Sequence, residues 1–319
     1  MRLREFVEDT YAEAFDALYC RILVTADRSL DLEDRKSPFL EYDPLRFLAY
    51  RATSTPGIVV GRIEAGIEKF LRKEETPDGR EGVILQFYGV YRKDKPLEDQ
   101  VEKFFSEVAI RIRQDILSAS FGTTRVFNSL KKEREIFSID TKERVGDCGG
   151  GYEKIVKEYG KEHYSIPLMI GYDFKIERNI GIGLGISGAN LWLFCDSLKT
   201  AKIAGKKAID AIKKVPNVIT PFYVCPSGSM VANYGKIGPP TNYKFCPTLK
   251  GKIQDSDVPE NVFSIPEIVI NGETLEDVKR AMISAIKAVS SLNGVKKISA
   301  GNYDGKLGQH KIYLKDLFC

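Results

Sequence analysis

EIVINGETLEDVKRAMISAIKAVSSLNGVKKIS, Glu267 to Ser299, carries the fold in miniature. It opens on the apolar run Ile268-Val269-Ile270, short enough for a buried strand. Leu275, Val278, Met282, Ala285 and Val289 then recur at helical spacing. Thr274 followed by Asp277 has the form of a capping box, with aspartate where glutamate or glutamine is stronger. Asn293-Gly294 marks a tight turn, and Lys296 to Ser299 a second strand. Strand, long amphipathic helix, tight turn and strand make a βαβ unit.

The same rhythm occurs twice more. Leu191-Trp192-Leu193-Phe194 precedes a helix with Leu198, Ala201, Ala204, Ala208 and Ile212 inward, then the turn at Pro216-Asn217 and the strand Val218 to Thr220. Val83 to Tyr88 precedes a helix with Leu97, Val101, Phe104, Val108 and Ile112 on one face, then a strand near Thr123 to Phe127. Pro96 sits just before that helix, a place that suits a residue without an N–H. These crossovers predict an α+β fold of two ferredoxin-like lobes. The glycine run Asp147 to Gly151 divides them into residues 1–147 and 148–319.

Two stretches break the rhythm: PFYVCPSGSMVANYGKIG (Pro221 to Gly238) and KFCPTLKGKI (Lys244 to Ile253). They form one long irregular insert in the C-terminal lobe. Irregular segments of this length inside a compact domain tend to be functional. Ser227-Gly228-Ser229 offers backbone N–H groups and two hydroxyls beside Lys236 and Lys244. That is the makings of an anion nest, with a plain surface loop as the other reading.

Composition closes off several classes. The chain has 319 residues with 48 basic and 44 acidic side chains, a net charge of +4 spread along its length. A nucleic-acid binder shows a basic stripe, and the aromatic pattern of RNA-binding ferredoxin-like sheets is absent. No apolar run approaches the ~18 residues of a membrane span, and the acidic, amphipathic N-terminus is no signal peptide. A cytoplasmic protein is expected. Six cysteines without a CxxC pair argue against zinc and for thiols that are mostly buried. Two histidines, His163 in the polar stretch KEYGKEHYS and His310 at a strand start, leave little for a histidine-based triad; His163 reads as surface. GIGLGISGAN (Gly181 to Asn190) contains G-x-G-x-x-G at Gly183, Gly185 and Gly188 but leads into a strand. Close backbone approach is therefore the better account of its glycines than a dinucleotide.

EDTYAEAF (Glu8 to Phe15), EETPDGR (Glu74 to Arg80), SGAN, PNVITPF, SGSMVANYGKIG, KFCPTLKG, EIVING and AGNYDGKLGQHKIYLKDLF together resemble the formylmethanofuran:tetrahydromethanopterin formyltransferase family over nearly the whole chain. Residues 28–63 depart from the family pattern. The resemblance implies formyl transfer between formylmethanofuran and N5 of tetrahydromethanopterin, in a homo-oligomer (dimer or tetramer). The two carriers are substrates, and no prosthetic group or metal is implied. It also points to Glu267 as the proton carrier. At the head of an apolar strand its pKa would rise with burial, whereas a strand-end glutamate facing water is the other reading. The insert would then line the substrate cleft through Ser227, Gly228, Ser229, Tyr234, Lys236, Phe245, Cys246 and Pro247, with Cys246 a wall residue rather than a nucleophile. An inactive or divergent paralogue, serving as an interaction subunit of a formyl-processing complex, is the alternative.

Overall fold

A computed structural model describes residues 3–26, 43–58, 61–119, 122–229 and 242–318. In chain order the elements begin with helix α1 (Leu3–Phe6), strand β1 (Tyr11–Ala26), α2 (Pro44–Thr53), β2 (Ile63–Leu71), β3 (Gly82–Val90) and α3 (Leu97–Arg111). They continue with β4 (Thr124–Asn128), β5 (Phe137–Asp140), β6 (Lys154–Glu158), β7 (Lys161–Pro167), β8 (Asp173–Glu177) and β9 (Asn179–Cys195). The last are α4 (Leu198–Ile212), β10 (Val218–Ile219), β11 (Glu267–Gly272), α5 (Leu275–Val289), β12 (Val295–Ser299) and β13 (His310–Tyr313). The fold is α+β.

The chain forms two compact units, Met1–Asp16 with Gly185–Cys319, and Ala17–Leu184. The division differs from the 147/148 boundary expected from the glycine run. Residues 146–149 make a short 3₁₀ turn inside the second unit, and Gly150 and Gly151 take positive φ to leave it. The chain passes between units within two long strands, β1 and β9. Strand continuity gives no sequence signal of the kind that glycine supplies.

In the Ala17–Leu184 unit, β1-α2-β2-β3-α3-β4 is arranged with spatial order β2-β3-β1-β4, every neighbour antiparallel. β8 joins β4 in parallel and continues antiparallel through β7 to β6. Its core lies under α2 and α3, where Val101, Phe104, Phe105, Val108 and Ile112 are buried against Leu85, Phe87 and Ile22. The helical face read from sequence is therefore the packed one. His163 corrects the sequence reading. It is buried in β7, with its ring edge-on to Phe127 at 5.4 Å, and burial pushes its pKa down. Its charged chain neighbours disguise a covered position.

In the other unit, β9-α4-β10-β11-α5-β12 repeats the pattern, with order β10-β11-β9-β12 and again all antiparallel. β13 pairs with Tyr11–Ala14 of β1. Both helices start on a hydroxyl cap, Ser197 accepting from the Thr200 N–H and Thr274 from the Asp277 N–H, each at 3.1 Å. Such caps stabilise a helix start by ~1 kcal/mol. Ala201, Ala204, Ala208, Val278, Met282, Ala285 and Val289 face one shared core. Leu198 does not: as the first residue after its cap it is 63% exposed. Burial pushes the Cys20 thiol up and that of Cys195 up to about 12, so both stay protonated. No helix among the described residues is long and apolar enough to cross a membrane.

The GIGLGISGAN glycines lie within β9, and three of them, Gly181, Gly183 and Gly188, meet close neighbours. A Cβ on Gly183 would stand 2.6 Å from the Arg134 carbonyl oxygen. Because that neighbour is backbone, it cannot rotate away. Gly183→Ala is expected to cost about 1–3 kcal/mol, by the cost of overpacking, which urea denaturation would measure; a change within error would contradict the close-approach account.

Candidate active site

Spatial order β12-β9-β11 sets Ser299, Trp192 and Glu267 in one cross-strand row. Pro266, which has no N–H to give, marks the start of β11, and its carbonyl accepts from Leu193 N–H at 3.1 Å. On its other side Glu267 exchanges two backbone hydrogen bonds with Cys225, each 2.9 Å. The main chain at Glu267 is thus gripped from both flanks, which fixes where its side chain starts.

The carboxyl itself meets neutral donors. Trp192 Nε1–H donates to Oε1 at 3.3 Å, and Ser227 and Cys225 also hydrogen-bond to it. Residue Glu267 is half-buried, yet the protein around its carboxyl is dense enough that desolvation dominates. Desolvation raises its pKa above the usual carboxylate value, and the three hydrogen bonds pull only partly back. A carboxyl with an elevated pKa that keeps donors at hand can both take and return a proton.

The insert closes on this row. Asn242 Nδ2 donates to Ser227 Oγ at 2.9 Å and to Gly228 O at 3.3 Å, tying the two halves of the insert together. Phe245 packs on Trp192, with centroids 5.2 Å apart, and edge-on to Phe194 at 6.2 Å. Pro247 opens a 3₁₀ turn to Leu249, and the Cys246 sulfur lies 3.1 Å from Thr248 Oγ1. Ser229 is half-buried at the edge of the described segment; Tyr234 and Lys236 lie outside the described residues. The structure thus brings Ser227 to Glu267 directly and Phe245 to it through Trp192, and Asn242 holds Gly228 beside Ser227. Phe245→Ala is expected to cost about 1–2 kcal/mol from its aromatic pairs and to hasten proteolytic nicking of the insert. Unchanged cleavage would show that Phe245 does not anchor it.

Several residues here escaped sequence reading. Trp192 looked like one more core side chain in LWLF, although a buried indole N–H usually needs an acceptor. Glu13, in β1, is 1% exposed. Its Oε1 accepts from the N–H groups of Tyr303 (2.7 Å) and Gly305 (2.6 Å), its Oε2 from those of Leu307 (3.1 Å) and Gly308 (2.6 Å). The AGNYDGKLG loop is therefore wrapped around one carboxylate. At the loop's start Gly301 N–H donates to Asn190 Oδ1 at 2.7 Å, and a Cβ there would fall 2.6 Å from the Trp192 ring. The available signal is a glycine-rich segment without regular structure, whose backbone N–H groups need acceptors from elsewhere in the chain.

A desolvated carboxyl on a βαββαβ sheet, served by neutral donors and flanked by the described parts of the insert, is the candidate site. The sequence comparisons place it more narrowly. Residues 4–168 match the family model described as formylmethanofuran-tetrahydromethanopterin formyltransferase, and residues 172–317 match the one described as FTR, proximal lobe. The chain belongs to the formylmethanofuran-tetrahydromethanopterin formyltransferase family. It is 48% identical to a formyltransferase-like protein of Archaeoglobus fulgidus over 98% of this chain and 96% of that one. Among solved structures, it is similar to the formylmethanofuran:tetrahydromethanopterin formyltransferase of Methanosarcina barkeri. The TM-score is 0.82 at 35% identity, covering 98% and 97% of the two chains. It is also similar, at TM-score 0.82 and 28% identity over 98% and 96%, to a chain of the formyltransferase/hydrolase complex of Methylorubrum extorquens in complex with methylofuran.

Proposed function

We propose that this chain transfers a formyl group between the amide nitrogen of formylmethanofuran and N5 of tetrahydromethanopterin, both acting as carrier substrates. The observation that carries the chemistry is the Glu267 carboxyl, with its pKa raised by desolvation and neutral donors to it from Trp192, Ser227 and Cys225. The N5 lone pair attacks the formyl carbon, and the carbonyl π pair moves to oxygen. The Glu267 carboxylate takes the N5 proton. When the oxyanion reforms its double bond, the C–N bond to methanofuran breaks, and Glu267 returns the proton to the departing nitrogen. Charge and protons balance without a covalent enzyme intermediate. Orientation in a ternary complex supplies much of the acceleration, worth ~7–11 kcal/mol in favourable cases.

In this reading Ser227, Gly228, Ser229, Phe245, Cys246 and Pro247 wall the carrier site, and Tyr234 and Lys236 extend it. Cys246 sits beside the Thr248 hydroxyl, in keeping with a wall residue. Each unit is a ferredoxin-like lobe; the βαββαβ order with spatial arrangement 2-3-1-4 supports this. The protein acts as a cytoplasmic homo-oligomer.

The test is direct: purified protein, formylmethanofuran and tetrahydromethanopterin, with N5-formyl product followed in time. Turnover on the order of 1–10³ s⁻¹ is expected. A folded protein that gives no product would overturn the reading.

A further inference from the structure

We propose that Tyr303 is a second catalytic residue of this site, its hydroxyl donating to the formyl oxygen as the tetrahedral oxyanion forms, and that buried Glu13 is the positioning residue that holds it there. The inference rests on the formyl-transfer reading. Attack on the formyl carbon creates negative charge on oxygen, and Glu267 is already committed to the travelling proton. A separate donor is needed to stabilise that charge, and such donors are usually worth a large share of the acceleration.

Geometry brings the main chain of Tyr303 close to this row. β12 ends at Ser299, directly opposite Trp192, which is directly opposite Glu267. The chain leaving β12 stays on this row: Gly301 lies against the indole and is tied to Asn190 of β9. Asn302 Nδ2 donates to Thr10 Oγ1 and to the Tyr11 carbonyl, at 3.2 and 3.3 Å. The Tyr303 N–H then donates to Glu13. The residues on either side of the tyrosine are therefore fixed by named bonds. Tyr303 is half-buried.

The electrostatics suit a donor. Burial, and after it the fields of Glu267 and Glu13, push the Tyr303 pKa up to about 12. The phenol keeps its proton through the working range, so it can donate to an oxyanion without first having to be protonated. Glu13 acts at one remove. Its oxygens face backbone N–H groups from both ends of the 303–308 loop, so this one carboxylate sets where the tyrosine emerges.

Tyr303→Phe removes the hydroxyl and leaves the ring. It is expected to lower kcat ~10²–10³-fold, with KM for both carriers and the melting temperature unchanged. Trp192 is the chain's one tryptophan and bonds to Glu267, so its emission against pH reports on that carboxyl. The midpoint should be the same in Tyr303→Phe as in wild type. Transfer by wild type with an equal rate in Tyr303→Phe would overturn the proposal and leave the formyltransferase reading standing. A slow variant with a shifted emission midpoint or a lower melting temperature would assign Tyr303 a structural role and overturn it too. Absence of transfer in wild type would remove both. Glu13→Gln keeps the size but exchanges an accepting oxygen for a donating amide. It is expected to lower kcat more than it raises KM and to shift Trp192 emission; unchanged kcat and emission would take Glu13 out of the arrangement.

Discussion

Glu267→Gln is expected to lower kcat about 10²–10⁴-fold, the usual range for general acid–base catalysis, and to leave the protein as stable as wild type or more so near neutrality. The amide still accepts from Trp192 and Ser227 but cannot carry a proton. Stability should respond in the opposite sense because burial raises the carboxyl pKa above its unfolded value. Below the unfolded pKa both states are protonated and nothing is lost. As pH rises through the unfolded and then the folded pKa, the unfolded chain releases its proton more readily, and folding becomes less favourable. Glutamine is free of this penalty, and the gain is about 0.5–2 kcal/mol, as is common when strained active-site groups are relieved. Urea denaturation at acid and neutral pH checks the sign: the stability difference between variant and wild type should grow with pH. A wild-type kcat in the variant would remove Glu267 from the mechanism. In the wild type, transfer should rise with pH through the elevated pKa, since the first step needs the ionised form.

Glu13→Ala should be the most damaging single change to the fold. It removes the acceptor of the N–H groups of Tyr303, Gly305, Leu307 and Gly308 at a site that is 1% exposed. Unmet buried donors cost about 1–3 kcal/mol each, without adding fully. Four such donors, adding only in part, place the expected loss in chemical denaturation at about 3–5 kcal/mol. Hydrogen exchange should show it first in residues 301–309, as amides that exchange slowly in wild type become fast. Slow exchange retained there would mean another acceptor takes over.

The βαβ segments were legible because helical periodicity, caps and turn residues all pointed the same way. Thr274, Asn293 and Gly294 stand where the pattern places them. The exceptions have local causes. Leu198 fits the helical stripe by spacing, but the first turn after a cap lies beyond the edge of the core. His163 sits among charged residues whose side chains leave the sheet while the ring stays under cover. At the site, Glu267 could be singled out because an acidic residue heading an apolar strand is unusual, and family resemblance singled it out further. Two meetings could not be read: Trp192 reaches Glu267 from β9, 75 positions away in the chain, and Glu13 meets the loop that follows β12; Ser227, by contrast, stands in the insert already expected to line the cleft. Cross-strand register decides those meetings, and register leaves almost no trace in composition or spacing.

The opening strand has a history to wait through. Tyr11 to Ala14 of β1 pair with His310 to Tyr313 of β13, so this strand is joined by a segment made about 300 residues later. At about 5–20 residues per second of synthesis, the first strand spends on the order of 15–60 s without its partner. The Ala17–Leu184 unit is complete long before then, but its neighbour is not, since that unit is assembled from both ends of the chain. A ribosome-stalled fragment ending near residue 184 should already protect its own unit from protease while residues 1–16 stay open to cleavage. The Glu13 carboxylate would gain its loop only once residues 303–308 have left the ribosome.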